Sequence, residues 1–92
     1  MTPERFVWIF NGSGGKFPSG VFFDKPEAIA WILKHKLTGV LTKYPVGVGV
    51  YDMALEAGIF TPKRDEQRSA EFIGRFSSAN LEHYHYENGE PP

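Results

Sequence analysis

Cysteine is absent from the 92-residue sequence, which removes a disulfide framework and every Cys-based zinc site at once. Small secreted domains usually rely on such cross-links, so the cytoplasm is the expected compartment. An excess of charge is also missing: ten Lys and Arg oppose eleven Asp and Glu, for a formal net charge of −1. Nucleic-acid binding leaves a basic footprint, and the only basic clusters here are Lys34-His35-Lys36 and Lys63-Arg64. The first reads as a helix C-terminus, where cations favour the dipole. Long apolar runs are lacking too. The longest, Phe6-Val7-Trp8-Ile9-Phe10, is far short of the roughly 20 residues that span a bilayer as a helix. Met1-Thr2-Pro3-Glu4-Arg5 has neither the basic start nor the apolar stretch of a signal peptide. The expectation is a soluble chain that binds neither nucleic acid nor membrane.

What the chain does have is rings. Eight Phe, four Tyr and two Trp make it 15% aromatic, within a composition that is 41% hydrophobic. Each large ring buries about 150–250 Å². That matters for a chain of this size, which hides only about 60–65% of its unfolded surface. The length fits one domain. Residues 1–87 are expected to form it, with Asn88-Gly89-Glu90-Pro91-Pro92 as a loose C-terminal tail.

Phe6-Val7-Trp8-Ile9-Phe10 is β-branched and aromatic, apolar at odd and even positions alike, and reads as a strand buried inside a sheet. Asn11-Gly12 breaks it, and Gly12-Ser13-Gly14-Gly15 continues as a flexible loop. A short second strand, Val21-Phe22-Phe23, follows Pro18. Asp24 then starts a helix: its side chain can cap, Pro26 suits the first turn, and Glu27 completes an Asp-x-x-Glu box. Ile29, Ile32, Leu33 and Lys36 share a face beside Ala28 and Trp31, and Gly39 is the expected stop.

Val40-Leu41-Thr42-Lys43-Tyr44 alternates as a third strand ended by Pro45, and Val46-Gly47-Val48-Gly49-Val50 reads as a loop. Residues 51–57 form a short helix, with Asp52 in its first turn and Gly58 as its stop. After a polar connection, Ser69 caps another short helix carrying Phe72 and Phe76. Residues 81–87 alternate as a last strand. The predicted order is β-β-α-β-α-α-β. It describes an α+β two-layer sandwich: a mostly antiparallel sheet of about four strands with helices on one face. The helix between the second and third strands makes those two parallel if they are neighbours.

Several segments together resemble a family of small bacterial single-domain proteins of unknown function. They are Phe17-Pro18-Ser19-Gly20-Val21-Phe22, Leu37-Thr38-Gly39-Val40-Leu41-Thr42-Lys43-Tyr44-Pro45, Val50-Tyr51-Asp52 with Ala54 and Gly58, and Glu71-Phe72-Ile73-Gly74. The ending that begins Ser77-Ser78-Ala79-Asn80-Leu81 and closes Glu82-His83-Tyr84-His85-Tyr86-Glu87 is the most distinctive. The resemblance covers most of the chain and implies a bacterial single-domain protein. It carries no functional residue with it.

Chemistry has few places to sit. Gly12-Ser13-Gly14-Gly15-Lys16 follows a strand, but a phosphate loop needs Gly, four residues, Gly-Lys-Ser/Thr and then a helix. Here Phe17-Pro18 and a strand follow, so the stretch reads as a hairpin loop, and nucleotide binding ranks last. In a strand, His83 and His85 project to one face, and Glu82, Tyr84 and Tyr86 to the other. A His-x-His pair can reach one metal ion, and Glu87, His35 or Asp52 would have to complete the set. A structural or surface role is the commoner fate of such residues, with a protein-contact surface next. Tyr44 and Tyr51-Asp52 bracket the 45–50 loop. Asp52 reads first as a helix-start residue, although an aspartate beside a tyrosine can also orient a ligand. No nucleophile motif accompanies His35, His83 or His85.

The leading functional expectation is a non-enzymatic protein-binding module of inhibitor, immunity or regulatory type. Tyr44, Tyr51, Asp52, Tyr84 and Tyr86 are its candidate contacts, and another protein or a second copy is its partner. No cofactor is expected. The alternative is a small metal-binding protein or metal-dependent enzyme using His83 and His85.

Overall fold

A computed structural model describes residues 5–92. The elements follow the predicted order: β1 (Phe6–Gly12), β2 (Gly20–Phe22), α1 (Lys25–His35), β3 (Gly39–Pro45), α2 (Val50–Glu56), α3 (Ala70–Gly74) and β4 (His83–Tyr86). A single 3-10 turn at Asp65–Arg68 precedes α3. Residues 1–4, where the sequence shows no signal-peptide pattern, lie outside the described residues. Among the described residues no helix is long and apolar enough to cross a membrane.

The four strands form one antiparallel sheet in the order β2-β1-β3-β4. The most apolar strand, β1, is therefore central. β2 and β3 flank it and run parallel to each other, but they are not neighbours: α1 crosses the sheet between them. Register places Phe10 opposite Leu41 and Trp8 opposite Phe22, and Leu41 in turn opposite Tyr84. Residues directly opposite share a face. Trp8, Phe10, Leu41 and Tyr86 thus meet Ala28 and Ile32 of α1 in the main core, with Phe22, Trp31 and Tyr84 at its margin. Trp31 meets Phe10 edge-on with ring centres 5.8 Å apart.

The helix rotates slightly from the predicted face. Ala28 and Ile32 are fully buried, whereas Leu33 is 55% exposed, because the i, i+4 row through the smallest residue lets α1 approach the sheet closely. Asp24 occupies the N-cap but its side chain makes no capping bond, so the expected box does not form. At the other end the helix stops before Gly39. Lys36 turns left-handed at φ 53°, and the Leu37 N–H reaches back to the Ile32 carbonyl at 3.0 Å, the Schellman closure of a helix. Gly39 instead opens β3, where the main chain of β1 leaves no room for a side chain.

The tail is also not loose. Glu87 and Glu90 bridge around a tight turn, the Gly89 N–H donates to the Leu37 carbonyl at 2.8 Å, and Gly89 is buried against the end of α1.

A second aromatic cluster lies apart from the main core. Tyr51 of α2, Phe60, Phe72 of α3 and Phe76 pack with ring centres 4.9–6.2 Å apart. Ser69 caps α3 by accepting from the Phe72 N–H at 3.1 Å, as its position predicts. Gly58, at φ 72°, ends α2, with the Ile59 N–H bonded to the Ala54 carbonyl. Because α2 and α3 gather around each other, the molecule is elongated, 44 × 28 × 20 Å. Its radius of gyration is 14.6 Å, against about 12 Å for a compact domain of this length.

Candidate functional site

One face of the sheet is covered by α1; the opposite face carries the residues of greatest interest. Alternation along β1 and β3 brings Val7, Ile9, Val40, Thr42 and Tyr44 to that face, and the register adds Val21 from β2 and His83 and His85 from β4. None of these positions holds Asp, Glu, Lys or Arg. Val21 is 63% exposed, both histidines are exposed, and the others are half-buried. The continuous apolar run in β1 reads as a strand covered on both sides, and here the structure differs. β1 is central in the sheet but covered on one side only, because α2 and α3 pack with each other rather than over Val7 and Ile9.

Residues 77–79, just after α3, come down beside this face. With Val40, Thr42, Tyr44 and His83 they line a shallow cavity of about 300 Å³. His83 is held in place by its own strand: its Nδ1 lies 2.8 Å from the Leu81 carbonyl oxygen. A carbonyl only accepts, so Nδ1 is the donor of this bond and Nε2 takes no part in it. The His85 ring stands nearly perpendicular to the His83 ring, at 78° with centres 5.4 Å apart. Among the described residues, no three His, Cys, Asp or Glu side chains are placed to hold one metal ion. His35, Asp52 and Glu87 therefore do not complete the pair within one chain.

The remaining sequence candidates separate by burial. Tyr51 and Tyr86 are each 6% exposed; their rings belong to the aromatic cluster and the main core respectively. Both rings are packed inside rather than displayed. Tyr84 is half-buried on the α1 side, 6.1 Å from Trp8 between ring centres, with the Lys25 ammonium 3.5 Å from its own ring centre and its hydroxyl donating to Glu82. Asp52 is exposed in the first turn of α2. Tyr44 alone of the tyrosines lies on the uncovered face. Gly12, Gly14 and Lys16 belong to the hairpin between β1 and β2: the Gly15 N–H bonds the Gly12 carbonyl at 2.9 Å, Gly14 sits at φ 82°, and a strand follows.

Sequence reading missed Val7, Ile9, Val21, Val40 and Thr42 as surface residues. Their alternation was legible, but apolar side chains at those positions signal a covered face, and only the packing of α2 and α3 elsewhere leaves them open.

The chain belongs to the family described as a domain of unknown function (DUF7710), whose sequence model matches residues 7–92. No curated protein and no solved structure matches it.

Proposed function

We propose that this member of a family of unknown function is a non-enzymatic protein-binding module, of inhibitor, immunity or regulatory type, that docks its partner on the uncovered face of the sheet. One observation carries the reading: no strand position on that face holds Asp, Glu, Lys or Arg, and Val7, Ile9, Val21 and Val40 form an aliphatic stretch across it. A contiguous patch with aliphatic side chains and no Asp, Glu, Lys or Arg is a mark of an interaction surface on a small domain. The partner that fits is a protein with an apolar contact surface, because the patch holds no carboxylate, ammonium or guanidinium group for a charged ligand to pair with. Tyr44 supplies an aromatic anchor with a polar tip, the residue type that dominates binding energy in such interfaces. The shallow cavity beside it, flanked by residues 77–79, gives a ring or branched side chain of the partner somewhere to insert.

The test compares the wild-type chain with Val21→Lys and Tyr44→Ala as bait, followed by direct titration of each against the purified partner. Val21 is the most exposed apolar residue of the face, so its substitution leaves the fold intact. Affinity at least tenfold weaker for both variants, with unchanged circular dichroism, supports the reading. Equal affinity for all three baits moves the contact surface elsewhere.

A further inference from the structure

The geometry points to a zinc site shared between two copies of the chain, built from His83 and His85 of each across paired β4 edges. This proposal rests on the open edge of β4, and its ligands, His83 and His85, stand on the same uncovered face; zinc content and mass test it without reference to any partner protein.

The edge comes first. β4 is the outermost strand. The Lys43 N–H donates to the Glu82 carbonyl at 2.9 Å, so the main chain of Glu82 faces β3, and by alternation so do those of Tyr84 and Tyr86. The N–H and C=O groups of His83 and His85 consequently point outward, where no strand of this chain lies. Native edges are usually blunted by a charged residue or a proline; His83-Tyr84-His85-Tyr86 carries neither. A second copy is the natural partner because identical antiparallel strands pair about a two-fold axis. With the axis at Tyr84, His83 lies opposite His85 of the second copy, and His85 opposite its His83. The outward groups are the ones that bond in this register, and Glu82 and Glu87 each avoid facing another carboxylate.

The ligands follow from the register. All four imidazoles stand on the uncovered face, with opposite Cβ atoms about 4.5–5.5 Å apart. Within one chain the two rings already have a chelating separation. Zinc bound tetrahedrally about 2.0–2.1 Å from each nitrogen places two ring centres roughly 5 Å apart, and the observed value is 5.4 Å. The bond from His83 Nδ1 to the Leu81 carbonyl fixes the ring and leaves Nε2 out of it, the second-layer arrangement that metal-binding histidines use. One chain supplies two ligands, and no third lies near among the described residues. The second copy supplies the other two, giving the closed four-coordinate set of a structural zinc site.

The experiment is sedimentation velocity on untagged, EDTA-stripped protein titrated with zinc chloride, with bound zinc measured in parallel. The expected result is a shift from the 10.4 kDa monomer to twice that mass, at one zinc per two chains, reversed by EDTA. His83→Gln and His85→Gln should each abolish the shift while circular dichroism stays unchanged, and His35→Gln should leave it intact. Zinc bound at one per chain without a mass change overturns the shared site. So does a dimer that persists in EDTA, a shift abolished by His35→Gln, or no zinc bound at all.

Discussion

The hydroxyl of Tyr51 donates a 2.7 Å hydrogen bond to the main-chain carbonyl of Gln67, sixteen residues further along. This bond ties α2 to the 3-10 turn, while the Gln67 side chain accepts from the Lys63 and Arg64 N–H groups. One tyrosine thus closes the second aromatic cluster from inside, with Phe60, Phe72 and Phe76 around its ring. Tyr51→Phe keeps the ring and loses the bond, at an expected cost of about 1 kcal/mol. Tyr51→Ala empties the cluster and should cost about 3–5 kcal/mol. Urea denaturation of both variants checks the ratio; equal losses would mean that the ring contributes little.

Gly39 and Gly47 should respond unequally to the same change. A Cβ on Gly39 collides with the Asn11 carbonyl oxygen and lies 2.9 Å from the Gly12 Cα, and neither main-chain atom can move without breaking the β1–β3 ladder. Gly39→Ala is expected to be among the most damaging substitutions, beyond about 3 kcal/mol. Gly47 sits at φ 87° with open space around it, so Gly47→Ala bears only the left-handed backbone penalty of about 1–2 kcal/mol. Thermal melts of the two proteins side by side decide the matter.

Gly89 tests whether the C-terminal turn is part of the fold. At φ 88°, its Cβ would meet the Lys36 Cα at 3.0 Å and the Ile32 oxygen at 3.2 Å. Gly89→Ala is expected to lower stability by about 2 kcal/mol, combining backbone strain and close contact. Removal of Pro91 and Pro92, which are exposed, should change the melting temperature little. A loose tail would make both changes silent.

The two aromatic assemblies should open separately. The main core seals β1, β3 and α1, whereas α2 and α3 are short and rest on four rings. Native-state hydrogen exchange should show the Ala54 and Phe72 amide regions exchanging through a local opening of lower free energy than β1 and β3. Ser69→Ala, which removes the cap bond to Phe72, should speed exchange in residues 70–74 by about fivefold, equivalent to ~1 kcal/mol. Uniform protection across both regions would show one cooperative unit instead.

Val21→Lys should be nearly neutral for stability, within about 0.5 kcal/mol, because the residue is 63% exposed on the uncovered face. Phe10→Ala, at 1% exposure on the covered face, should cost about 3–5 kcal/mol. Chemical denaturation of the pair reads the two faces of one sheet. A large loss for Val21→Lys would mean that something packs over the open side.

Local chemistry made most of the secondary structure legible in advance. β-branched and aromatic runs gave β1 and β3, Pro26 and the apolar stripe gave α1, and Ser69 and Gly58 marked the ends they were expected to mark. These depend on backbone sterics and neighbouring side chains, which a short stretch of sequence contains. The site was less legible. The alternation of His83 and His85 against Tyr84 and Tyr86 could be read, but not which side α1 would cover. As a result Tyr86 was a surface candidate on sequence grounds, and Val7 and Ile9 were core.

By itself, then, the amino-acid sequence determined the α+β order, the single-domain size and the pairing of the two histidines on one side of a strand. Tertiary structure alone decided that Gly39 is required by the crossing of β1 rather than by a helix end, and that Gly89 anchors the last turn. It also decided that α2 and α3 spend their apolar faces on each other. The reason is physical: periodicity fixes which side chains share a face, but coverage of that face depends on contacts between segments far apart in the chain. Here those contacts leave one side of the sheet, and both β4 histidines, open.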